Sequence, residues 1–124
     1  MLKILAVAAG GSLGAIVRYL ISLIFVSDHN MKFPVATFIA NMLGCFLMGI
    51  LWKVFSGKIV STEIKLFLMT GCLGALTTFS TYGIENFVFL KNKLYLSSVS
   101  YFLLSNAAAL FFIFLGTHAA RTLK

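Results

Sequence analysis

The sequence predicts an all-α integral membrane protein, with four transmembrane helices in a single domain over residues 1–124. Of its 124 residues, 60% are hydrophobic and 10% are charged, and the mean hydropathy is +1.03. Soluble domains are about 25% charged, and so small a soluble chain would expose much of this apolar surface to water. One crossing of the hydrocarbon core takes about 20 helical residues, so four crossings use most of the chain. This composition argues against a soluble enzyme, a disordered chain and a disulfide scaffold.

Four apolar runs mark the spans, and short polar segments separate them. The first run is longer than the apolar region of a cleavable signal peptide, so we expect it to be retained as a span. Pro34 suits the first turn of the second span, where its missing N–H costs nothing. The alternation typical of β-strands is absent, which argues against a β-barrel. The spans are predicted at residues 4–26, 34–55, 63–90 and 94–116.

The basic residues favour lipid contact and indicate a weakly determined orientation. The net charge is +7, from ten Lys and Arg against three Asp and Glu. We expect these basic residues to flank the spans and to meet anionic lipid headgroups, and no basic stripe with interleaved aromatics indicates a nucleic-acid partner. If the N-terminus is inside, six basic residues lie on the inner side and four on the outer side. So small a difference predicts either insertion in both orientations or a partner that fixes the topology.

The third span is predicted to be broken near its middle. Residues 70–83 contain three glycines and five Ser or Thr residues. Glycine weakens a helix, and Ser and Thr side chains compete for its backbone hydrogen bonds. A broken backbone survives at membrane depth only inside protein or beside an aqueous path, where its carbonyls can bind cations and helix N-termini can bind anions. Close packing of small residues is the alternative interpretation.

Polar side chains in the other spans are further candidates for an ion pathway. Arg18 lies within the first span, where it either attracts anions to a vestibule or extends to the membrane interface. Asn41 and Asn106 either donate to an anion or bond a neighbouring helix. Phe79 lies among the hydroxyls of the third span, and the positive edge of its ring can meet an anion.

Side chains give no pattern for catalysis or for a metal cluster. We find no catalytic triad and no pair of carboxylates, so enzyme activity is not expected. Asp28, Glu63 and Glu85 are scattered along the sequence, which gives little support to proton-coupled transport by carboxylates.

Three stretches carry a resemblance to a known family. The first is Gly10-Gly11-Ser12-Leu13-Gly14-Ala15 followed by Arg18-Tyr19, the second is Pro34, Thr37, Asn41 and Gly44, and the third is residues 71–82 with the run Thr77-Thr78-Phe79-Ser80-Thr81. Over essentially the whole chain, these residues resemble the CrcB/Fluc family of fluoride channels. The resemblance implies a passive, fluoride-selective anion channel that exports cytoplasmic fluoride across the cytoplasmic membrane.

The resemblance also implies an assembly and a set of site residues. The subunit is expected to form an antiparallel, dual-topology dimer with two pores. A structural sodium ion is expected at the dimer centre, held by the backbone carbonyls of Gly74 and Thr77. By motif match, the aromatic positions of the pathway are Phe79 and Tyr82, its polar track is Asn41, Ser80 and Thr81, and Arg18 matches the family's arginine in the first span.

Two departures from the family pattern leave the composition of the dimer open. The second aromatic position is usually Phe and is Tyr82 here. The family often has two hydroxyl residues one turn apart late in the fourth span, where this chain has Ala109 and Ile113. The chain is therefore expected to pair either with itself or, as one subunit of a heterodimeric fluoride channel, with a paralogue.

Two hypotheses from other functional classes are alternatives to the fluoride channel. A small four-helix multidrug-type transporter is also a dual-topology dimer, but that design usually has a glutamate in the first span, where this chain has Arg18. A non-transporting membrane scaffold would tolerate substitutions in the broken third span.

Overall fold

A computed structural model describes residues 1–25 and 33–121 of the chain. Within these two ranges the protein is helical and forms no β-strand. Its elements are α1 (Leu2–Ile24), α2 (Val35–Phe55), α3 (Thr62–Lys65), a π-helical segment (Leu66–Leu73), α4 (Gly74–Leu76), α5 (Phe79–Lys91) and α6 (Tyr95–Ala119).

Within residues 1–25 and 33–121, four stretches of helix are long and apolar enough to cross a membrane. They are Leu2–Ile24, Val35–Phe55, Thr62–Lys91 and Tyr95–Ala119. The prediction of four membrane helices with a break in the third is therefore confirmed. The last helix continues to Ala119, beyond its predicted end at residue 116, and the predicted end of the first span at residue 26 lies outside the described residues.

The helices pack as two pairs through small residues. The first pair is α1 with the π-helical segment and α4, and the second is α2 with α6. Gly10 and Gly14 of α1 lie against the backbone of the third span, and Gly49 of α2 and Gly116 of α6 lie against the backbone of each other's helix. Lipid is as apolar as a leucine side chain, so close backbone approach supplies much of the association between membrane helices.

The third span changes its backbone geometry twice before it ends. The π-helical segment comes first, and such wide turns are rare and are often found at functional sites. After α4, Thr77 has φ −81° and ψ 155°, and Thr78 has φ −148° and ψ 117°, so both residues are extended. The helix resumes at Phe79. The sequence predicted this break but gave no sign of the π-helical geometry that precedes it.

Two neighbouring glycines of α1 offer a matched test of this packing. A Cβ at Gly10 would collide with the carbonyl oxygen of Phe67, whereas a Cβ at Gly11 would meet nothing within 4 Å. We expect Gly10→Ala to lower the free energy of unfolding by about 1–3 kcal/mol because the two backbones must separate. Gly11→Ala is expected to leave it unchanged or to raise it by up to about 1 kcal/mol, since alanine favours the helix. Unfolding titrations of both variants in mixed detergent micelles measure the difference, and equal effects would contradict the packing described.

Candidate functional site

The side chain of Asn41 holds the break in the third span. Its Oδ1 accepts a hydrogen bond of 2.8 Å from the backbone N–H of Thr78, and its Nδ2 donates one of 3.3 Å to the carbonyl oxygen of the same residue. The amide thus pairs with both backbone groups of Thr78, as a neighbouring β-strand would. Backbone groups left unpaired in hydrocarbon cost several kcal/mol each. Asn41 therefore allows an extended residue to exist within a transmembrane span.

The hydroxyl groups at the break form hydrogen bonds with other groups of the third span. Thr78 caps α5, because its Oγ1 accepts from the N–H of Thr81 at 3.2 Å and donates to Thr81 Oγ1 at 2.9 Å. Ser80 Oγ lies 3.3 Å from the same Thr78 oxygen. Thr77 Oγ1 donates to the carbonyl oxygen of Leu73 at 3.0 Å. These side chains end one helix and start the next.

A cleft of about 330 Å³ opens beside the break, between α2, the third span and α6. We call it the central cleft. It brings together six of the candidate residues named from the sequence, which come from separate parts of the chain. Its walls include Asn41, Gly74, Thr77, Phe79, Tyr82 and Asn106.

Phe79 and Tyr82 form an aromatic pair on the wall of the central cleft. Their ring centroids are 5.7 Å apart and their planes are inclined at 41°. The side chain of Phe79 is 84% exposed on the surface of the protomer, whereas Tyr82 is 8% exposed. Tyr82 also contacts the ring of Tyr101 at a centroid distance of 5.1 Å. One ring of the pair is thus fixed in the core, and the other faces outward.

Arg18 and Thr81 lie in a second cleft, of about 310 Å³, between α1, α2 and the break. Thr78 lines both clefts, so the broken backbone is their shared wall. Ser80 is exposed and lines neither of these two clefts. The structure therefore divides the predicted pathway residues between two sides of the break.

Glu85 is held in a site that the sequence analysis missed. Its Oε1 accepts a hydrogen bond of 2.6 Å from the hydroxyl of Thr37, and its Oε2 accepts one of 2.8 Å from the hydroxyl of Tyr101. Ionisable residues within membrane spans require such partners and mark functional sites. The sequence analysis treated Glu85 only as one of three scattered acids, because the donors to its carboxylate come from other helices, α2 and α6. The signal available was Thr37, which lies one helical turn before Asn41.

Comparisons with known proteins show the family of this chain. A family model described as "CrcB-like protein, Camphor Resistance (CrcB)" matches residues 5–117. The chain belongs to the CrcB family. Its curated relatives include proteins named "Fluoride-specific ion channel FluC" from Shewanella frigidimarina, 40% identical, and from Shewanella denitrificans, 39% identical. Each alignment covers 94% of both sequences. The resemblance drawn from the sequence motifs is thereby confirmed.

In this member of the CrcB family, α6 forms one wall of the central cleft. Asn106 Nδ2 donates to the hydroxyl oxygen of Tyr82 at 3.2 Å and to the carbonyl oxygen of Phe102 at 2.7 Å. Ala109 and Ile113 follow on the same wall, and neither side chain forms hydrogen bonds. Of the two alternatives for Asn106, donation to an anion or a bond to a neighbouring helix, the structure shows the second, at Tyr82.

One buried hydroxyl on this wall, that of Ser105, has no hydrogen bond of standard geometry. It interacts with the hydroxyl of Tyr101, which lies one helical turn before it. Ser105 lies one turn before Ala109 and lines the central cleft. The sequence analysis did not select it, because a serine in an apolar helix is typical of packing.

Substitution at Asn41 tests the role assigned to its amide. In Asn41→Asp, a carboxylate oxygen replaces the Nδ2 donor and faces the carbonyl oxygen of Thr78. We expect the free energy of unfolding to fall by about 1–3 kcal/mol, because the buried carbonyl oxygen of Thr78 loses its donor. Asn92→Asp, at the end of α5, is the control and should change the value by less than about 0.5 kcal/mol. Unfolding titrations compare the two variants, and equal losses would refute the clamp.

Proposed function

We propose that this CrcB protein is a passive, fluoride-selective anion channel, which exports cytoplasmic fluoride and lowers its toxicity. The observation that carries the proposal is the break held by Asn41, which places an aromatic pair on the wall of the central cleft, in the middle of the third span. Relatives about 40% identical over 94% of the chain carry the name of a fluoride-specific channel. The protein is on this account a channel and not an enzyme.

Selectivity is proposed to arise from groups that replace the hydration shell of fluoride. Ring edges carry partial positive charge, and hydroxyl groups donate hydrogen bonds. Phe79 and Tyr82 supply the ring edges, and Ser80 and Thr81 supply hydroxyls on the exposed side of α5. Asn41 fixes their positions through the break. A narrow path lined in this way exchanges water for protein contacts, as other ion-selective pores do.

Arg18 is proposed to attract anions to the second cleft. A fixed positive charge beside a cleft raises the local concentration of anions. Fluoride enters cells as the neutral acid and dissociates inside. The membrane potential then drives the anion outward, with about 2.3 kcal/mol per elementary charge for each 100 mV. A passive channel in the cytoplasmic membrane is sufficient for export.

The proposal includes a dimer, because polar groups of the third span lie open on the surface of the protomer. Gly74, Ser80 and Thr81 are exposed at the middle of a membrane helix, beside the exposed ring of Phe79. Hydrocarbon is a poor environment for hydroxyl and backbone groups. A second subunit inserted in the opposite orientation would cover them and complete the pathway. The weak bias of basic residues is compatible with both orientations.

A structural sodium ion is proposed at the centre of this dimer, held by the backbone carbonyls of Gly74 and Thr77. The local structure fits such a site, since a Cβ at Gly74 would meet only Met69 O at 3.8 Å and the backbone is open there. Broken helices supply carbonyls to cations at this depth in other membrane proteins. The charge of the ion would offset part of the cost of desolvating an anion.

Fluoride efflux from liposomes that contain the purified chain alone tests the proposal. We expect fast efflux of fluoride and none of chloride. Phe79→Ile should lower the rate of fluoride efflux by about tenfold or more, because the ion loses its contact with a ring edge. A contact that stabilises the ion in the pathway by about 1.4 kcal/mol is enough for a tenfold effect. Phe87→Ile is the matched control, since Phe87 is an exposed phenylalanine of the same helix that does not line the central cleft.

Three outcomes would contradict parts of the proposal. Equal chloride flux would refute selectivity. A wild-type rate in Phe79→Ile would remove this ring from the pathway. No fluoride efflux from well-folded protein would refute a homodimeric channel and favour a heterodimer with a paralogous subunit, for which the apolar Ala109 and Ile113 would be a reason.

Sodium dependence of stability tests the proposed ion. A ligand that binds the folded dimer alone raises its stability by RT ln(1 + L/Kd), where L is the free ligand concentration. We expect a higher melting temperature in sodium than in N-methylglucamine of equal ionic strength. The same melting temperature in both cations would exclude a structural sodium site.

A further inference from the structure

The hydroxyl of Tyr82 has a proton that points away from Asn106. The amide group of Asn106 donates one hydrogen to Phe102 O and one to the Tyr82 hydroxyl oxygen. A phenol hydroxyl has one proton and accepts through its oxygen. Because the oxygen accepts from Asn106, its own proton is directed elsewhere. No described residue accepts it.

Three donors of the central cleft, those of Asn41, Thr77 and Thr78, are occupied by protein acceptors. The Nδ2 of Asn41 donates to the carbonyl oxygen of Thr78. The hydroxyl of Thr77 donates to Leu73 O, and that of Thr78 donates to Thr81 Oγ1. These groups hold the break, so an anion that uses them must first disrupt it. The Tyr82 hydroxyl is available without such a cost.

The ring of Tyr82 is held in a fixed position by its neighbours. It is 8% exposed and packs between the rings of Phe79 and Tyr101. Across the central cleft wall, Ala109 and Ile113 offer no donor. Held here, the phenol hydroxyl adds a donor beside the apolar Ala109 and Ile113, on a wall where Ser105 is the other hydroxyl.

We propose that the Tyr82 hydroxyl donates a hydrogen bond to the permeating anion in the central cleft, and that Asn106 is the positioning residue that directs its proton there. The inference rests on the proposed anion-channel function and deepens it. The two residues work as one unit, in which Asn106 occupies the hydroxyl oxygen and the anion receives the hydroxyl proton.

Removal of the hydroxyl is the first test. In liposomes that contain the full chain, Tyr82→Phe keeps the ring and should lower the fluoride efflux rate by about tenfold or more at low fluoride, since hydrogen bonds to charged groups are the stronger ones. Tyr95→Phe is the matched control, because Tyr95 is 60% exposed at the start of α6 and lies outside the central cleft. It should conduct at the wild-type rate. Elution as a single species on gel filtration confirms that each variant is folded.

A double-mutant cycle separates positioning from a structural role. Asn106→Leu should lower fluoride efflux several-fold in the wild-type background, because the hydroxyl loses its fixed direction. In the Tyr82→Phe background the same substitution should have no further effect, since coupled residues are non-additive. If Asn106 served only to bond Phe102 O, the loss would be equal in both backgrounds, and the positioning role would be overturned.

The outcomes also separate this inference from the proposed function. If wild-type protein passes fluoride, Phe79→Ile impairs it and Tyr82→Phe does not, the channel stands and the donor role of Tyr82 falls. A faster rate in Tyr82→Phe would overturn the donor role too, since the hydroxyl would then act as a barrier. Wild-type protein that passes no fluoride would refute the homodimeric channel and this inference with it.

Discussion

The paired hydrogen bonds between the side chain of Asn41 and the backbone of Thr78 are the interaction on which the site depends. A membrane offers no water to an extended residue, so a break in a spanning helix needs a substitute partner for its N–H and its C=O. One amide supplies both. With the break in place, α5 can start at a new angle, and the rings of Phe79 and Tyr82 lie on a cleft instead of along a continuous helix.

Glycine packing joins the helices of this small protein in two pairs, and Gly44 extends that packing to Thr77 at the break. Gly10 and Gly14 bring α1 against the first half of the third span, and Gly49 and Gly116 bring α2 against α6. Between these two tight pairs, the polar side chains are left to bond one another. The carboxylate of Glu85 illustrates this, since its two donors come from two different helices. Apolar packing thus holds the helices together, and a few hydrogen bonds between helices fix the polar side chains inside.

Composition and residue patterns were sufficient to predict the four spans and the position of the break, because both follow from local properties of the chain. The family resemblance supplied the site residues. Three features could not be predicted. The π-helical segment depends on close contact with α1, the Glu85 site depends on the register of three helices, and the division of Arg18 from Phe79 depends on which face of the break each residue meets. All three are set by tertiary contacts between residues that are distant in the sequence.

The position of Asn41 in the chain has a consequence for how the protein is made. Ribosomes release the second span before the third, so the amide that the break requires precedes it into the membrane. A broken segment that entered first would have unpaired backbone groups in lipid and would favour slipping back or forming a straight helix. The order of the polypeptide thus provides the template before the irregular segment is synthesised. A circular permutant in which the second span followed the third would lose this advantage, although the contacts of the finished fold would be the same.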